Sequence, residues 1–418
     1  MRILWLVNTP FPEMVRHLGL AGDYMGCWMP ALKEALINFP EFRPGTENHL
    51  GIACAIAGIS ESRRFDFDGV TYFCFPKSRI CEYLQSYGKE LTDCLGVVEE
   101  FNPDLIHVHG TEEFYGLIAG LVDKPVVVSL QGILSALVKV YFGSMGWKDI
   151  LRSPGIMKSY LIVKRKTKTE RRIFRMNRFF IGRTLWDKSH LMSLAGNGEY
   201  VYYQSHEVMR KEFSEVEWSL ESARPATIAC VSSCSAYKGV DCLVEAVSLL
   251  SRKIPEVTLS IYGSFPHKGY GAFLRRKVQQ LGLQDKVLFC GFKDAGQLAE
   301  VLSMVRVLAI ASHLENSSNS LQEAMLVGTP VVAPFVGGLF SLAEHDKTCL
   351  MFPRGDAAVL AESLEQVLTD DNLVARLSQA ARTTAQRINN PEAVADNLLR
   401  IYQDVVNRYN HKGREEGQ

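Results

Sequence analysis

Residues 307–338 read VLAIASHLENSSNSLQEAMLVGTPVVAPFVGG and carry the strongest structural signal in the chain. The apolar run at 307–310 predicts a buried strand, and the run at 330–333 predicts another. Between them, a polar loop leads into a helical pattern at 319–327. Because a strand, a helix and a second strand in this order form the repeating unit of a parallel sheet, the stretch predicts an α/β fold.

The same alternation extends outward through the second half of the chain. Gly and Pro stand at the predicted joints, for example Gly263, Gly291 and Gly328. The further predicted strands are 227–231, 257–262, 286–290 and 349–352, and the further predicted helices are 239–251, 270–281, 295–303, 338–344 and 356–369.

The first half has the same organisation. Its predicted strands are 3–7, 51–57, 70–75, 105–109 and 126–130, and its predicted helices are 28–38 and 88–101. The acid-rich stretch 212–224 is the best linker, and 391–409 predicts a final helix. We therefore predict two Rossmann-like domains that face each other across a cleft, with boundaries at 1–215 and 222–388.

Composition excludes several classes of protein. The 418 residues carry a formal net charge of zero, which argues against a nucleic-acid partner. None of the ten cysteines forms a CxxC pair, so reduced, buried thiols in a cytoplasmic protein are expected. The apolar run at the N-terminus is too short for a signal peptide, and no window reaches the ~18 apolar residues of a membrane span.

The loop after strand 307–310 has the chemistry of an anion site. Open α/β sheets bind ligands at the carboxyl ends of their strands, where this loop lies. A helix that begins near Asn319, capped by Ser318 or by Asn319 itself, directs free backbone N–H groups and a positive dipole end toward a ligand. Glu315 lies in the loop and Glu323 about one turn into the helix, so both can face one ligand.

These residues resemble a known signature. Glu315 and Glu323 are separated by seven residues and followed by Ala-Met, by GTPVV at 328–332 and by Gly-Gly at 337–338. The pattern is similar to the E-x7-E signature of the family 4 retaining glycosyltransferases, which have the two-domain B-type fold. The resemblance implies that Glu323 binds the ribose hydroxyls of a nucleotide and that Glu315 contacts the transferred sugar. It also implies that the loop around Ser317 and Ser318 and the helix end at Asn319 bind the donor.

A second element of the resemblance is the loop around Lys238. It lies in YKG, between a strand and a helix, where an ammonium group can neutralise a diphosphate leaving group. In the wider family an arginine stands five residues before this lysine, and the two together clamp the diphosphate. Ser233 occupies that donor-binding position here, which leaves the second positive charge unassigned.

The end of strand 105–109 carries two histidines, His107 and His109. Gly110 follows directly, so the strand is expected to end there and His109 to lie at the lip of the cleft. The family has a similar His-x-His strand end, whose second histidine approaches the sugar or the reaction centre, and this implies a catalytic role for His109. His107 is expected in the core with its ring hydrogen-bonded. Gln131-Gly132, at the end of the next strand, is expected to line an acceptor pocket.

Two further elements match the family in part. Arg183 begins RTLWD, which resembles an element of the polysaccharide-building branch, so it is expected either to hold a phosphate or to form a salt bridge with Asp187. Gly26 stands where the family has a glycine pair that approaches the donor, but Cys27 replaces the second glycine.

Two charged segments need separate interpretation. Asp66-Phe67-Asp68 has the spacing of a manganese motif, but Gly69 follows it, so a hairpin turn is predicted and no catalytic metal. Residues 158–178, KSYLIVKRKTKTERRIFRMNR, are rich in Lys and Arg with interleaved apolar residues. They are either a solvated helix face or a peripheral contact with anionic lipids.

The resemblance implies a complete activity. A UDP- or GDP-sugar would donate its sugar, with no permanently bound cofactor, to a glycan or to a polyprenyl-diphosphate-linked acceptor in surface-polysaccharide synthesis. Residues 1–215 would bind the acceptor, 222–388 the nucleotide sugar, and the helix at 389–410 would cross back to the first domain. The expected location is the cytoplasm, at the inner face of the plasma membrane. A nucleotide-sugar epimerase and a non-catalytic nucleotide-binding homologue remain alternatives.

Overall fold

The computed structural model describes residues 1–20, 28–42, 46, 48–78, 86–196, 198–264 and 268–415. The chain forms two compact units. The first unit contains residues 1–135, 162–208 and 389–418, and the second contains 136–161 and 209–388. The second unit therefore includes 136–161, which the sequence prediction assigned to the N-terminal domain.

The first unit is built on an eight-stranded sheet in the order β3-β4-β2-β1-β5-β6-β7-β8. The strands are β1 Arg2–Val7, β2 His49–Ile56, β3 Arg63–Phe67, β4 Val70–Pro76, β5 Leu105–His109, β6 Val126–Ser129, β7 Phe179–Gly182 and β8 Val201–Gln204. All neighbouring pairs are parallel except β3 and β4, which form an antiparallel hairpin. The hairpin turns at Asp68 and Gly69, both with positive φ, which confirms the turn predicted there.

The second unit is built on a six-stranded, fully parallel sheet in the order β11-β10-β9-β12-β13-β14. Its strands are β9 Arg224–Val231, β10 Thr258–Tyr262, β11 Val287–Gly291, β12 Val305–Ala309, β13 Val331–Pro334 and β14 Leu350–Phe352. Apolar runs such as β13 form central strands because helices cover a parallel sheet on both faces. The one charge in β12, Arg306, is buried but donates to the carbonyl of Val367 and pairs with Asp371 at 2.6 Å.

Helices connect most of the parallel strands. In chain order they are α1 Pro12–His17, α2 Trp28–Ile37, α3 Gly88–Phe101, α4 Leu134–Val140, α5 Trp147–Leu151, α6 Pro154–Met176, α7 Leu185–Leu194, α8 Glu212–Glu215, α9 Val240–Leu250, α10 Lys268–Gln280, α11 Ala295–Met304, α12 Asn319–Val327, α13 Ala357–Thr369, α14 Asp371–Ile388 and α15 Pro391–Glu415.

The last helix, α15, packs on the first unit. The hydroxyl of Tyr402 is fully buried, accepts a hydrogen bond from the Trp5 indole at 2.9 Å and lies 2.7 Å from His107 Nδ1. Tyr203, at the edge strand β8, donates to Asp404 at 2.6 Å. The residues after 389 therefore complete the core of the unit that the chain starts.

Most predicted elements of the second half lie within a few residues of the observed ones, with two differences. The predicted helix at 338–344 is a single 3-10 turn, Leu339–Ser341. Helix α14 was not predicted, although its buried residues Val374, Leu377, Ala381 and Ala385 follow helical spacing.

Eight described cysteines are free thiols, and all but Cys290 are buried, as predicted. Burial raises the pKa of the seven buried thiols, for example that of Cys234 to about 11. Within the described part of the chain, no helix combines the length and the apolar character needed to cross a bilayer.

Candidate donor and acceptor sites

Helix α12 presents its N-terminus at the carboxyl edge of the second sheet. Ser318 is the N-cap, and its hydroxyl accepts from the backbone N–H of Leu321 at 3.4 Å. Gln322 donates from its side-chain amide to the hydroxyl of Ser317 at 3.1 Å, so the loop is tied to the first turn. At the other end, Gly328 has φ 87°, a conformation that favours glycine, and closes the helix.

Glu315 lies in the loop before α12 and is held by two donors. Its Oε1 accepts from Lys238 Nζ and from the hydroxyl of Ser312, both at 2.6 Å. The Glu315 side chain is only 10% exposed. A nearly buried carboxylate needs such partners, so its position is fixed. Ser312 was not predicted to take part.

The Gly-Gly pair at 337–338 packs directly against Glu315. Gly338 donates its N–H to the Glu315 carbonyl at 3.0 Å. Gly337 has φ 54°, and a Cβ there would lie 1.7 Å from the same carbonyl oxygen. Only glycine fits this approach, and this explains why the Gly-Gly turn and the first glutamate occur together in the sequence.

Lys238 lies at the end of a 3-10 turn, Ala236–Lys238, which follows β9. Gly239 comes next with φ 63°, and a Cβ there would lie 2.0 Å from the Ala311 carbonyl oxygen. The backbone N–H of His313 donates to the Tyr237 carbonyl at 2.7 Å. These contacts join the loop of Lys238 to the loop of Glu315. Burial alone would lower the pKa of Lys238, but the Glu315 carboxylate, together with Tyr237 and Cys230, outweighs it and raises the pKa, so the ammonium stays charged.

Glu323, on the second turn of α12, has a partner that the sequence did not reveal. Its Oε1 accepts from Arg210 Nε at 2.9 Å and from a terminal guanidinium nitrogen at 2.7 Å. The Glu323 side chain is 5% exposed, and the guanidinium also stacks on the ring of Phe213 at 4.9 Å. Because Arg210 lies in the polar stretch before β9, 113 positions away from Glu323, no local pattern links the two.

Ser233, the position where the family has an arginine, is exposed, and its hydroxyl lies 3.4 Å from that of Ser235. Ser233, Ser317 and Ser318 lie on loops that follow parallel strands of the second sheet, and Asn319 is the first residue of α12.

In the first unit, His109 was predicted to lie at an exposed lip, but the structure buries it completely. Its ring lies 3.9 Å from that of His107, 4.7 Å from Trp5 and 5.9 Å from Trp28. Burial lowers the pKa of His109, and the nearby His107 and Arg183 lower it further, so the ring is neutral. Two other elements, β1 and α2, contribute the tryptophan rings, so the pattern around His109 could not indicate its burial.

His107 lies in the core with its ring hydrogen-bonded, as predicted. Its two nitrogens lie 2.7 Å from the hydroxyls of Tyr402 and Ser129. Burial lowers the pKa of His107 to about 3, so this ring is also neutral.

Arg183 is buried and pairs with Glu207 at 2.9 Å. The salt bridge with Asp187, one of the two expectations for Arg183, is therefore wrong. Its guanidinium also lies 4.9 Å from the ring of Trp28. Asp187 and Thr184 instead form a capping box at the start of α7. Most of the RTLWD element is therefore a helix start. Gly26 lies outside the described residues.

The basic segment 158–178 is largely helix α6. Between 162 and 176 its exposed positions repeat at helical spacing and carry cations, whereas Lys166 is buried and pairs with Glu113 at 2.8 Å. The exposed cations are Lys164, Arg165, Lys168, Arg171, Arg172 and Arg175. In the described ranges, no group of three or more His, Cys, Asp or Glu side chains is placed to hold a metal ion.

The fold is that of the B-type glycosyltransferases. The HepE protein of Anabaena, crystallised with UDP and glucose, superposes with a TM-score of 0.70 at 17% identity, covering 96% of this chain and 98% of that one. The predicted α/β fold with two Rossmann-like, parallel-sheet domains is thus confirmed.

Residues 213–384, which lie within the second unit, match the family model Glycosyl transferases group 1. The 2-deoxystreptamine N-acetyl-D-glucosaminyltransferase of Niallia circulans is 22% identical over 72% of this chain and 76% of that enzyme. The D-inositol 3-phosphate glycosyltransferase of Xylanimonas cellulosilytica is 32% identical, but over only 41% of this chain and 40% of that enzyme.

Proposed function

We propose that this protein is a retaining glycosyltransferase that transfers a sugar from a UDP- or GDP-sugar to a glycan or polyprenyl-diphosphate-linked acceptor in surface-polysaccharide synthesis. The observation that carries the proposal is the pair of Lys238 and Glu315, 2.6 Å apart, on loops that lie against each other near the N-terminus of α12. Cation, carboxylate and helix end are the groups needed to hold a sugar diphosphate.

In this proposal the donor nucleotide binds through Glu323. A carboxylate can accept hydrogen bonds from both ribose hydroxyls, and each of its oxygens has two acceptor sites. Arg210 uses acceptor sites on Oε1 and fixes the orientation of the carboxylate. Arg210 is therefore a positioning residue for nucleotide binding.

Lys238 and the N-terminus of α12 stabilise the departing diphosphate. Negative charge grows on the leaving phosphate as the glycosidic bond breaks, and a fixed cation lowers the energy of that state most. The raised pKa of Lys238 keeps its ammonium charged throughout the neutral range. The backbone amides at Ser317 and Ser318 add further donors.

Glu315 orients the transferred sugar in this proposal and does not attack it. Its Oε1 is already bound by Lys238 and Ser312, which makes it a poor nucleophile. The acceptor hydroxyl approaches the face that the diphosphate leaves, and the leaving phosphate takes its proton, so the anomeric configuration is retained. Ser233 and Asn319 would contact the donor. We also propose that Arg183 and His109 of the first unit take part in substrate binding.

A panel of nucleotide sugars tests the reaction. The expected result is binding of a UDP- or GDP-sugar and slow release of the nucleotide, with an α-linked donor giving an α-linked product by NMR. Glu323→Ala should weaken nucleotide binding, and Glu315→Ala should mainly lower turnover. Glu344→Ala, an exposed glutamate of the same unit, is the matched control. Failure of every donor to bind, or unchanged kinetics in both site variants, would refute the assignment.

We also propose that the exposed cationic face of α6 contacts anionic lipid at the inner face of the plasma membrane. Each Lys or Arg near such a surface contributes about 1 kcal/mol of attraction. Co-sedimentation with phosphatidylglycerol vesicles, compared with phosphatidylcholine vesicles, measures this contact. Replacing Lys168, Arg171 and Arg172 by Glu should abolish it, whereas Arg63→Glu on the exposed strand β3 should not. Equal sedimentation of both variants would reject the proposal.

A further inference from the structure

The carboxyl ends of three neighbouring strands meet in the first unit. Val7 of β1 pairs with His109 of β5, and His109 pairs with Ser129 of β6. The residues just beyond these pairs are Asn8, the loop after His109 and the loop after Ser129. Their side chains therefore lie at the edge where parallel α/β sheets bind ligands.

Glu112 is held at this edge by two strand-end loops. Its Oε1 accepts from the backbone N–H of Gly132 at 2.5 Å, and its Oε2 lies 3.4 Å from the amide nitrogen of Asn8. A Cβ on Gly110, which has φ 104°, would lie 2.3 Å from Oε2, and one on Gly132 would lie 2.6 Å from Oε1. The carboxyl group thus fills the space that two glycines leave open.

The same place contains polar atoms without partners. The side-chain oxygen of Asn8 and both ring nitrogens of His109 are buried and have no hydrogen-bond partner within the described part of the chain. Orphaned polar atoms of this kind are rare and call for a ligand or a bound water. Glu112 has further capacity, because a carboxylate has about four acceptor sites and two of them are used here.

We propose that Glu112 and Asn8 bind a hydroxyl group of the acceptor sugar. A sugar hydroxyl both donates and accepts, so it can donate to the Glu112 carboxylate or to the Asn8 oxygen, and a neighbouring hydroxyl can satisfy the other. The inference rests on the proposed function and adds residues that select the acceptor.

The electrostatic surroundings of Glu112 make this binding depend on pH. Burial raises its pKa to about 7; the Gly132 amide lowers it, the nearby Glu170 raises it and Arg183 lowers it. Glu112 therefore changes charge in the neutral range. The ionised form accepts stronger hydrogen bonds from hydroxyls than the protonated form does.

The test uses the full chain saturated with UDP or GDP, whichever it binds more tightly, and a set of methyl glycosides of glucose, N-acetylglucosamine and mannose, observed by saturation-transfer difference NMR. With a pKa of about 7, the ionised fraction of Glu112 changes about 10-fold between pH 6 and pH 8, so the wild type should bind its preferred glycoside about 10-fold more tightly at pH 8. Glu112→Gln keeps an oxygen for the Gly132 amide but loses the charge. It should bind about 10-fold more weakly at pH 8 and equally at both pH values.

Two further variants separate binding from structure. Asn8→Ala should weaken glycoside binding but keep its pH dependence. Glu90 is a buried glutamate of the first unit whose carboxylate also accepts a backbone N–H, that of Ser78. Glu90→Gln should therefore behave like the wild type. The affinity for the nucleotide, UDP or GDP, should be unchanged in all variants.

Wild-type affinity and pH dependence in Glu112→Gln, or no glycoside signal from the wild type, would overturn the inference. Loss of nucleotide binding in Glu112→Gln would also overturn it, because the residue would then support the fold as a whole. If the wild type binds neither UDP nor GDP, the proposed function is refuted, whereas the glycoside signal and its pH profile still report on Glu112.

Discussion

Replacement of Lys238 by Met separates two roles of its ammonium group, the observed contact with Glu315 and the proposed stabilisation of a leaving diphosphate. Nζ lies 2.6 Å from Oε1, and the two side chains are 23% and 10% exposed. Breaking a fully buried pair by removing one partner destabilises a protein by about 3–5 kcal/mol. Because Lys238 is partly exposed, we expect about 2 kcal/mol for Lys238→Met. We expect a similar loss for Glu315→Gln, which leaves the lysine without its counter-charge.

The double variant Lys238→Met, Glu315→Gln distinguishes these roles. Neither charge is then left without its partner. The double variant should therefore lose about 1–2 kcal/mol less stability than the sum of the two single losses. Turnover should not recover, because the diphosphate still lacks its cation. Loss of one such electrostatic contact lowers turnover by about 100- to 1,000-fold.

Urea unfolding midpoints measure the stability of the four proteins, and release of UDP or GDP in the presence of acceptor measures turnover. If turnover recovers together with stability in the double variant, Lys238 acts only by holding Glu315, and the diphosphate role is wrong. If the two stability losses simply add, the ion pair is not an energetic unit.

Three other predictions follow from the contacts described above. Arg210→Ala should lower the free energy of unfolding by about 2 kcal/mol and weaken nucleotide binding, because the nearly buried Glu323 loses this cation. Arg376→Ala, in an exposed ion pair, should change the free energy of unfolding in urea by less than about 0.5 kcal/mol. Equal effects of the two variants would contradict this prediction. Gly337→Ala should lower both stability and turnover, because its Cβ would displace Glu315. Gly282 also has a positive φ but open space around it, so Gly282→Ala should lose only about 1 kcal/mol of stability. Normal turnover in Gly337→Ala would count against the packing argument. The pKa of Glu112 rises from 4.5 to about 7 on folding, so the native state holds this proton more tightly and the stability of the wild type should fall as pH rises from about 4.5 to about 7. Glu112→Gln has no such proton to lose and should gain up to about 3 kcal/mol over the wild type by pH 8. Parallel curves of stability against pH, measured by urea unfolding, would disprove this.

The sequence was informative where structure depends on neighbouring residues. Apolar runs such as 307–310 predicted strands because a parallel sheet buries both faces, and the bounds of α12 followed from its Ser318 cap and Gly328 end. Similarly, the lysine loop and the two-glutamate loop could be located because strand ends meet at one edge of a sheet.

The sequence was uninformative where a side chain's environment comes from distant segments. Arg210 and Glu207 lie in an irregular stretch, and only the folded chain pairs them with Glu323 and Arg183. The burial of His109 depends on rings from other elements. The role of Glu112 likewise arises from loops that follow two different strands.

The split of each unit along the chain has a consequence for recombination between related enzymes. In the second unit, Ser144 donates to Asp241. Gly143 packs so closely on the Ala236 carbonyl that a Cβ at this position would clash with it. A gene segment encoding only 209–388 would therefore lack residues 136–161, which pack within this unit. Exchange of the C-terminal half at one crossover would leave both halves incomplete. Chimaeras should keep native packing only when 136–161 is exchanged together with 209–388 and the last helix stays with the first unit.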